Sequence, residues 1–176
     1  MELRRFQEND YSYVQGLLIE AFPPKERPKL DIMIEKADQG LADFWVIREE
    51  NRTIGMAYIL MVEDVAYLFY FAVDSTCRGK GYGTTAMKTI MEKYKDSKLL
   101  FSIEDWEEEA DNTEQRIKRH QFYLRCGLID LPFTLKSKDM SFAVMSSTDS
   151  IGPEQCRDVI EGMMGQHGGK LEIVYK

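Results

Sequence analysis

The sequence predicts a mixed α/β domain of α+β character, with a central, mostly antiparallel sheet flanked by helices. Three observations predict it. Strand-like segments between residues 44 and 74 are joined by connections too short for anything but antiparallel neighbours. An aromatic and β-branched run at 67–73, a glycine-rich stretch at 79–83 and a helical apolar pattern at 86–94 read as strand, turn and helix. A further apolar run at 98–103 makes this a strand–helix–strand unit, which implies one parallel pair with a right-handed crossover.

The elements follow in order. Residues 1–6 form a short strand, with Leu3 and Phe6 apolar between polar neighbours. Asp10 is placed as N-cap of a helix whose apolar face is Tyr11, Val14, Leu17, Leu18, Ala21 and Phe22. Pro23 and Pro24 end it, and residues 25–29 are a charged loop. A second helix covers 30–39, with Gly40 as its stop. Strands are expected at 44–48, 53–62 and 65–74, then the glycine turn and a helix to about 95, then a strand at 98–103. Residues 104–113 are an acidic connection, read first as a solvated loop. A helix with Asp111, Asn112 or Thr113 as cap runs to Gly127. A hairpin at 131–136 and 141–145 turns around Lys138 and Asp139. A last helix starts at Gly152-Pro153, with Gly165, Gly168 and Gly169 as its end, before a terminal strand at 171–175.

At 176 residues a single domain over 1–176 is expected, large enough for a sizeable core. The net charge of −7 argues against a nucleic-acid partner. Cys77, Cys126 and Cys156 are scattered and only two histidines occur, so no metal site is expected and a reducing, cytoplasmic setting fits. No apolar run approaches a membrane span of ~20 residues, and no signal-peptide pattern opens the chain. Oligomeric state is left open, a homodimer included.

The glycine turn carries the chemistry. Gly79, Gly81 and Gly83 remove the Cβ atoms that would hold a ligand off the backbone. Backbone N–H groups can then converge at a helix N-terminus, a receptor for phosphate or pyrophosphate. Arg78 and Lys80 add positive charge. Gly81-Tyr82-Gly83-Thr84-Thr85-Ala86 also fits the dinucleotide fingerprint, with acids at Glu104 and Asp105 downstream. Against it, about seventy residues and an antiparallel meander precede the motif, and a six-strand parallel sheet cannot be assembled from the remainder. A Walker P-loop is absent.

Arg78-x-x-Gly81-x-Gly83 directly after Ala72-Val73-Asp74 resembles the cofactor motif of the GNAT superfamily of acetyl-CoA-dependent N-acetyltransferases. Further along, Phe122-Tyr123-Leu124-Arg125-Cys126-Gly127-Leu128 resembles that family's helix ending in Phe-Tyr-x-x-x-Gly-Phe. Ala21-Phe22-Pro23-x-x-Glu26-Arg27 is similar to a segment of bacterial members. The resemblance covers roughly 44–128. It implies a sheet splayed at its parallel pair, with acetyl-CoA as co-substrate and no metal. Pantetheine would pair with Phe71, Ala72 and Val73, and the pyrophosphate would sit on Arg78, Gly79, Lys80, Gly81, Tyr82, Gly83 and Thr84. An amine of a small molecule or peptide would be the acceptor.

By the same resemblance Tyr123 matches the general acid, its alternative being an aromatic packing residue. Glu104 is the first candidate for the base, ahead of Asp105, its alternative being an exposed acid; water can also take the proton. His120 reads as a surface or structural histidine. In many members an asparagine seven residues before the tyrosine contacts the cofactor, but here that position is Arg116, with Asn112 one turn earlier. Tyr58 and Tyr70 line either the acceptor site or the core. The acidic segment 104–111 would attract a cationic acceptor such as a polyamine, an aminoglycoside or a lysine-like group. The expected activity is direct transfer of acetyl from acetyl-CoA to an amine. The rivals are a non-catalytic acyl-CoA sensor or scaffold and, behind it, an NAD(P)-binding oxidoreductase.

Overall fold

The computed structural model describes residues 1–24, 26–138, 141–164 and 170–176, without the side chains of 163 and 164. The chain divides into two compact units, 1–94 and 95–176. Both contain an antiparallel sheet and helices, so the mixed α+β class is as the sequence predicts.

In the first unit, β1 (Glu2–Arg5), β2 (Ala42–Glu49), β3 (Arg52–Val62) and β4 (Val65–Val73) pair antiparallel in that order. The two-residue loops at Glu50-Asn51 and Glu63-Asp64 enforce this, and each puts a glutamate at positive φ (53° and 54°). Alternation along β2 explains why its centre, Phe44–Ile47, is apolar without a break. Phe44 and Val46 face α1 (Tyr11–Ala21) and α2 (Leu30–Asp38) across a core with Val14, Leu18, Met33, Met56 and Tyr58. Ile47 points the other way, to Ile54, Cys77 and Ala86 of α3 (Tyr82–Lys93). A sheet covered on both faces needs apolar residues in both phases.

Two local features differ from expectation. Asp10 is the N-cap residue of α1, but its side chain makes no capping hydrogen bond there. Its carboxylate accepts from the Gln7 N–H (2.8 Å) and from Arg4 (2.6 Å), so it closes the 3₁₀ turn at Glu8–Asp10 instead. The C-terminus of α1 is closed by Arg27, whose guanidinium donates to the carbonyls of Ile19 and Phe22 at 3.1 Å each.

The second unit pairs β5 (Lys98–Glu104) with β7 (Ser141–Ser146), β7 with β6 (Ile129–Lys136), and β6 with β8 (Glu172–Tyr175), all antiparallel. Register on β6 slips between Asp130 and Thr134, where Pro132 cannot donate to the ladder. The helices are α4 (Thr113–Cys126), ended by Gly127 at φ 96°, and α5 (Pro153–Met164). The expected turn at Asp139 and the expected helix end at Gly165, Gly168 and Gly169 lie outside the described residues. Among the described residues no helix is long and apolar enough to cross a membrane.

Candidate active site

The expected cofactor residues all belong to the first unit. β4 pairs Phe71 with Ala57, Ala72 with Met56 and Val73 with Gly55. Tyr58 faces Tyr70, but the next residue, Ile59, faces Leu68. Phe69 is therefore an extra residue on β4, a bulge two positions before Phe71, and its ring is exposed. Gly55 is sterically required. A Cβ there would collide with the Ala72 carbonyl oxygen, so β3 and β4 approach closely opposite the Ala72–Val73 segment.

The turn is built stepwise from that strand end. Asp74 accepts from the Thr76 N–H (2.8 Å), the Thr76 hydroxyl (2.6 Å) and the Tyr13 hydroxyl (3.3 Å). These donors, Thr76 foremost, hold its carboxyl below the usual range. Burial, reinforced by the Asp74 charge, pushes the Tyr13 phenol well up. The 3₁₀ turn Ser75–Cys77 follows, anchored by buried Cys77. Gly79 (φ 75°) and Gly81 (φ 81°) then take the left-handed conformation. Space around both is open, so it is φ and not crowding that asks for glycine there. Gly81 is the N-cap of α3, and Thr85 is the residue whose N–H returns to its carbonyl (3.1 Å). The N–H groups of Tyr82, Gly83 and Thr84 thus lead out of the helix end without an intrahelical acceptor.

Positive charge flanks these donors. Arg78 donates from Nε to the Val73 carbonyl (3.3 Å) and from Nη2 to Glu20 (3.4 Å), and its side chain is 59% exposed. Lys80 donates to the Thr76 carbonyl (3.4 Å). Orphan N–H groups, a helix dipole and two cations fit a diphosphate.

The expected catalytic residues belong to the second unit. Tyr123 is buried on α4, its ring 4.5 Å from Phe101 on β5. Burial pushes its phenol up to about 12, and the Arg119 charge opposes that shift. The hydroxyl is therefore protonated at neutral pH, as a proton donor must be. Glu104 ends β5 and is far from the free acid the sequence allowed. Oε1 accepts from Arg116 Nη2 (3.0 Å), and Oε2 from Arg119 Nη1 (3.1 Å). The Asn112 amide faces both oxygens, at 3.3 and 3.5 Å.

The other candidates resolve plainly. Asp105 is buried, accepting from the Ser141 hydroxyl (2.9 Å) and the Glu107 N–H (3.1 Å). His120 is a structural histidine, buried rather than on the surface. Its Nε2 donates to Asp130 (2.8 Å), and its ring stacks on Trp106 at 4.3 Å. Tyr58 is buried and donates to the Met33 carbonyl (3.3 Å), while Tyr70 donates to the Glu26 carbonyl (3.3 Å) beside Phe22. Burial pushes both phenols up to about 12. The acidic segment is partly neutralised, since Glu104 and Asp105 are partnered and Glu107 pairs with Lys176 (3.0 Å). The roles of Arg116 and Arg119 were missed by sequence reasoning; their i, i+3 spacing ahead of Tyr123 was the available signal.

Comparison with known families decides the family. Residues 8–128 match the model of the acetyltransferase (GNAT) family. The chain belongs to the GNAT family. Solved structures agree in fold. A protein described as a GNAT-family acetyltransferase from Bacteroides thetaiotaomicron is 23% identical, covers 97% of this chain and 100% of its own, and superposes with TM-score 0.74. A chimera of spermidine N-acetyltransferase from Vibrio cholerae is 13% identical, with 85% and 98% covered and TM-score 0.65. A Bacillus subtilis acetyltransferase in complex with CoA is 15% identical, with 82% and 95% covered and TM-score 0.58. Comparison with curated proteins finds no match. A GNAT chain is an acyltransferase, and the family uses acetyl-CoA.

Proposed function

We propose that this GNAT chain transfers acetyl directly from acetyl-CoA to an amine. The observation that carries the reading is the turn from Asp74 to Thr84, whose left-handed glycines lead into the N-terminus of α3 directly after Arg78 and Lys80. Arg78, Lys80 and the N–H groups of Tyr82, Gly83 and Thr84 would hold the diphosphate, and Phe71, Ala72 and Val73 the pantetheine. Acetyl-CoA supplies the activated thioester. A neutral amine adds to its carbonyl carbon, and the C–S bond of the tetrahedral adduct breaks. Tyr123 gives its proton to the departing sulfur. Glu104, the expected base, has both oxygens occupied by donors, which leaves little lone-pair capacity for a substrate proton. We therefore route the amine proton to water.

The acceptor class is a cationic amine. Glu108, Glu109 and Asp111 are the exposed acids left in the 104–111 segment, and the overall charge is negative. Fold neighbours include enzymes named for spermidine and for a ribosomal-protein alanine. Calorimetric titration of the full chain with acetyl-CoA, with NAD, NADP and ATP as controls, tests the reading. Selective acetyl-CoA binding with turnover on a panel of polyamine, aminoglycoside and peptide amines is the expected outcome. Selective binding with no turnover on any amine would favour the sensor or scaffold. Binding of NAD or NADP instead would overturn the cofactor assignment.

A further inference from the structure

Asn112, the N-cap of α4, and Arg116, Arg119 and Tyr123 on the helix lie at intervals of four, three and four, and so along one face. Glu104 at the end of β5 meets the first three of them. Arg116 is the hub, with its side chain 15% exposed. Its Nη2 binds Glu104, Nη1 the Asp105 carbonyl (3.0 Å) and Nε the Asn112 side-chain oxygen (2.8 Å). Arg119 binds the other oxygen of Glu104 from a side chain that is 37% exposed. Two guanidiniums share one carboxylate, so the cluster carries a surplus positive charge one turn before Tyr123.

We propose that Glu104 is a positioning residue, not the base. It pins Arg116 and Arg119 to the end of β5, and Arg119 is thereby held where its charge stabilises the phenolate left when Tyr123 gives up its proton. The proposal rests on the reading of Tyr123 as the acid. The step balances. The Tyr123 O–H bond breaks and an S–H bond forms as the C–S electron pair passes to sulfur. The phenolate later regains a proton from solvent. Burial opposes the phenolate, so the nearby cation offsets the disadvantage that burial imposes on this acid. In this unit, Arg119 and Cys126 are the groups on α4 that bear on the phenol. β5 presents the Phe101 ring, and the Glu104 charge is itself bound to Arg119.

The test reads Tyr123 without substrate. The full chain labelled with ¹³Cζ-tyrosine is titrated by NMR, with the Tyr123→Phe spectrum assigning the resonance. In Arg119→Gln, Tyr123 should ionise at higher pH than in the parent. In Arg119→Lys, which keeps the charge, it should ionise close to the parent. No displacement in Arg119→Gln would overturn the electrostatic role, and equal displacement in both variants would reduce Arg119 to packing. These outcomes stand even if no amine is ever acetylated. Where an acceptor is in hand, Glu104→Gln should lower kcat about tenfold while the acid limb of kcat/KM stays in place, short of the ~10²–10⁴-fold loss of a true base. Disappearance of that limb would make Glu104 the base and sink the proposal.

Discussion

The glycine turn and the α4 face solve opposite problems with opposite means. The turn of residues 74–84 is built from backbone. Its donors are N–H groups, its shape comes from two left-handed glycines on a base of Asp74 and buried Cys77, and its two cations, Arg78 and Lys80, are exposed. The α4 face is built from side chains. A carboxylate, two guanidiniums, an amide and a phenol are held by one another and by burial. A backbone site loses function by gaining a Cβ, whereas a side-chain site loses it by losing one atom.

The largest effect expected is at Tyr123. Tyr123→Phe removes a single oxygen, and steady-state turnover should fall ~10²–10⁴-fold while acetyl-CoA affinity holds within about twofold. Unchanged turnover would take Tyr123 out of the mechanism and dissolve the contrast. Next is Gly81→Val. A branched residue forced to φ 81° costs ~1–2 kcal/mol in the left-handed region, so calorimetry should show acetyl-CoA binding weakened about tenfold. Saturating turnover should be kept, because α4 is untouched. Smaller again is Lys80→Gln, with a loss of about threefold that shrinks as salt rises, as expected of an exposed charge. A salt-independent loss would mean that Lys80 shapes the turn rather than attracting the ligand.

The smallest expected effect is a pH response that does not occur. With its phenol pushed up to about 12, Tyr123 stays neutral from pH 7 to 10, so turnover should show no alkaline fall of its making there. A raised folded pKa means the phenol's contribution is whole below the unfolded value near 10 and is lost as pH climbs through 12. Chemical denaturation at pH 8 and pH 11, parent against Tyr123→Phe, would expose a different order of titration.

Much of this was legible in the chain. The meander, the glycine turn, α3 and α4 with its Gly127 stop all rest on local pattern. Periodicity, turn length and a residue's tolerance of positive φ act over a few neighbours and survive in a linear reading. Asp10 shows the limit even locally: an acid before a helix reads as a cap, but Arg4 and the Gln7 N–H claimed it. His120 shows it at longer range. Its burial depends on Asp130 and on the Trp106 ring, and no helical period predicts either.

What the sequence by itself determined is the class of fold, the family, and the residue types able to bind a diphosphate and donate a proton. Those follow from backbone propensity and from motifs whose members are close in the chain. Only the tertiary structure decided which groups Glu104 meets. Its partners lie 8, 12 and 15 residues downstream, beyond an acidic loop, and reach it through folding. A carboxylate's chemistry depends on which donors occupy its lone pairs, and that is a property of position in space rather than of order along the chain.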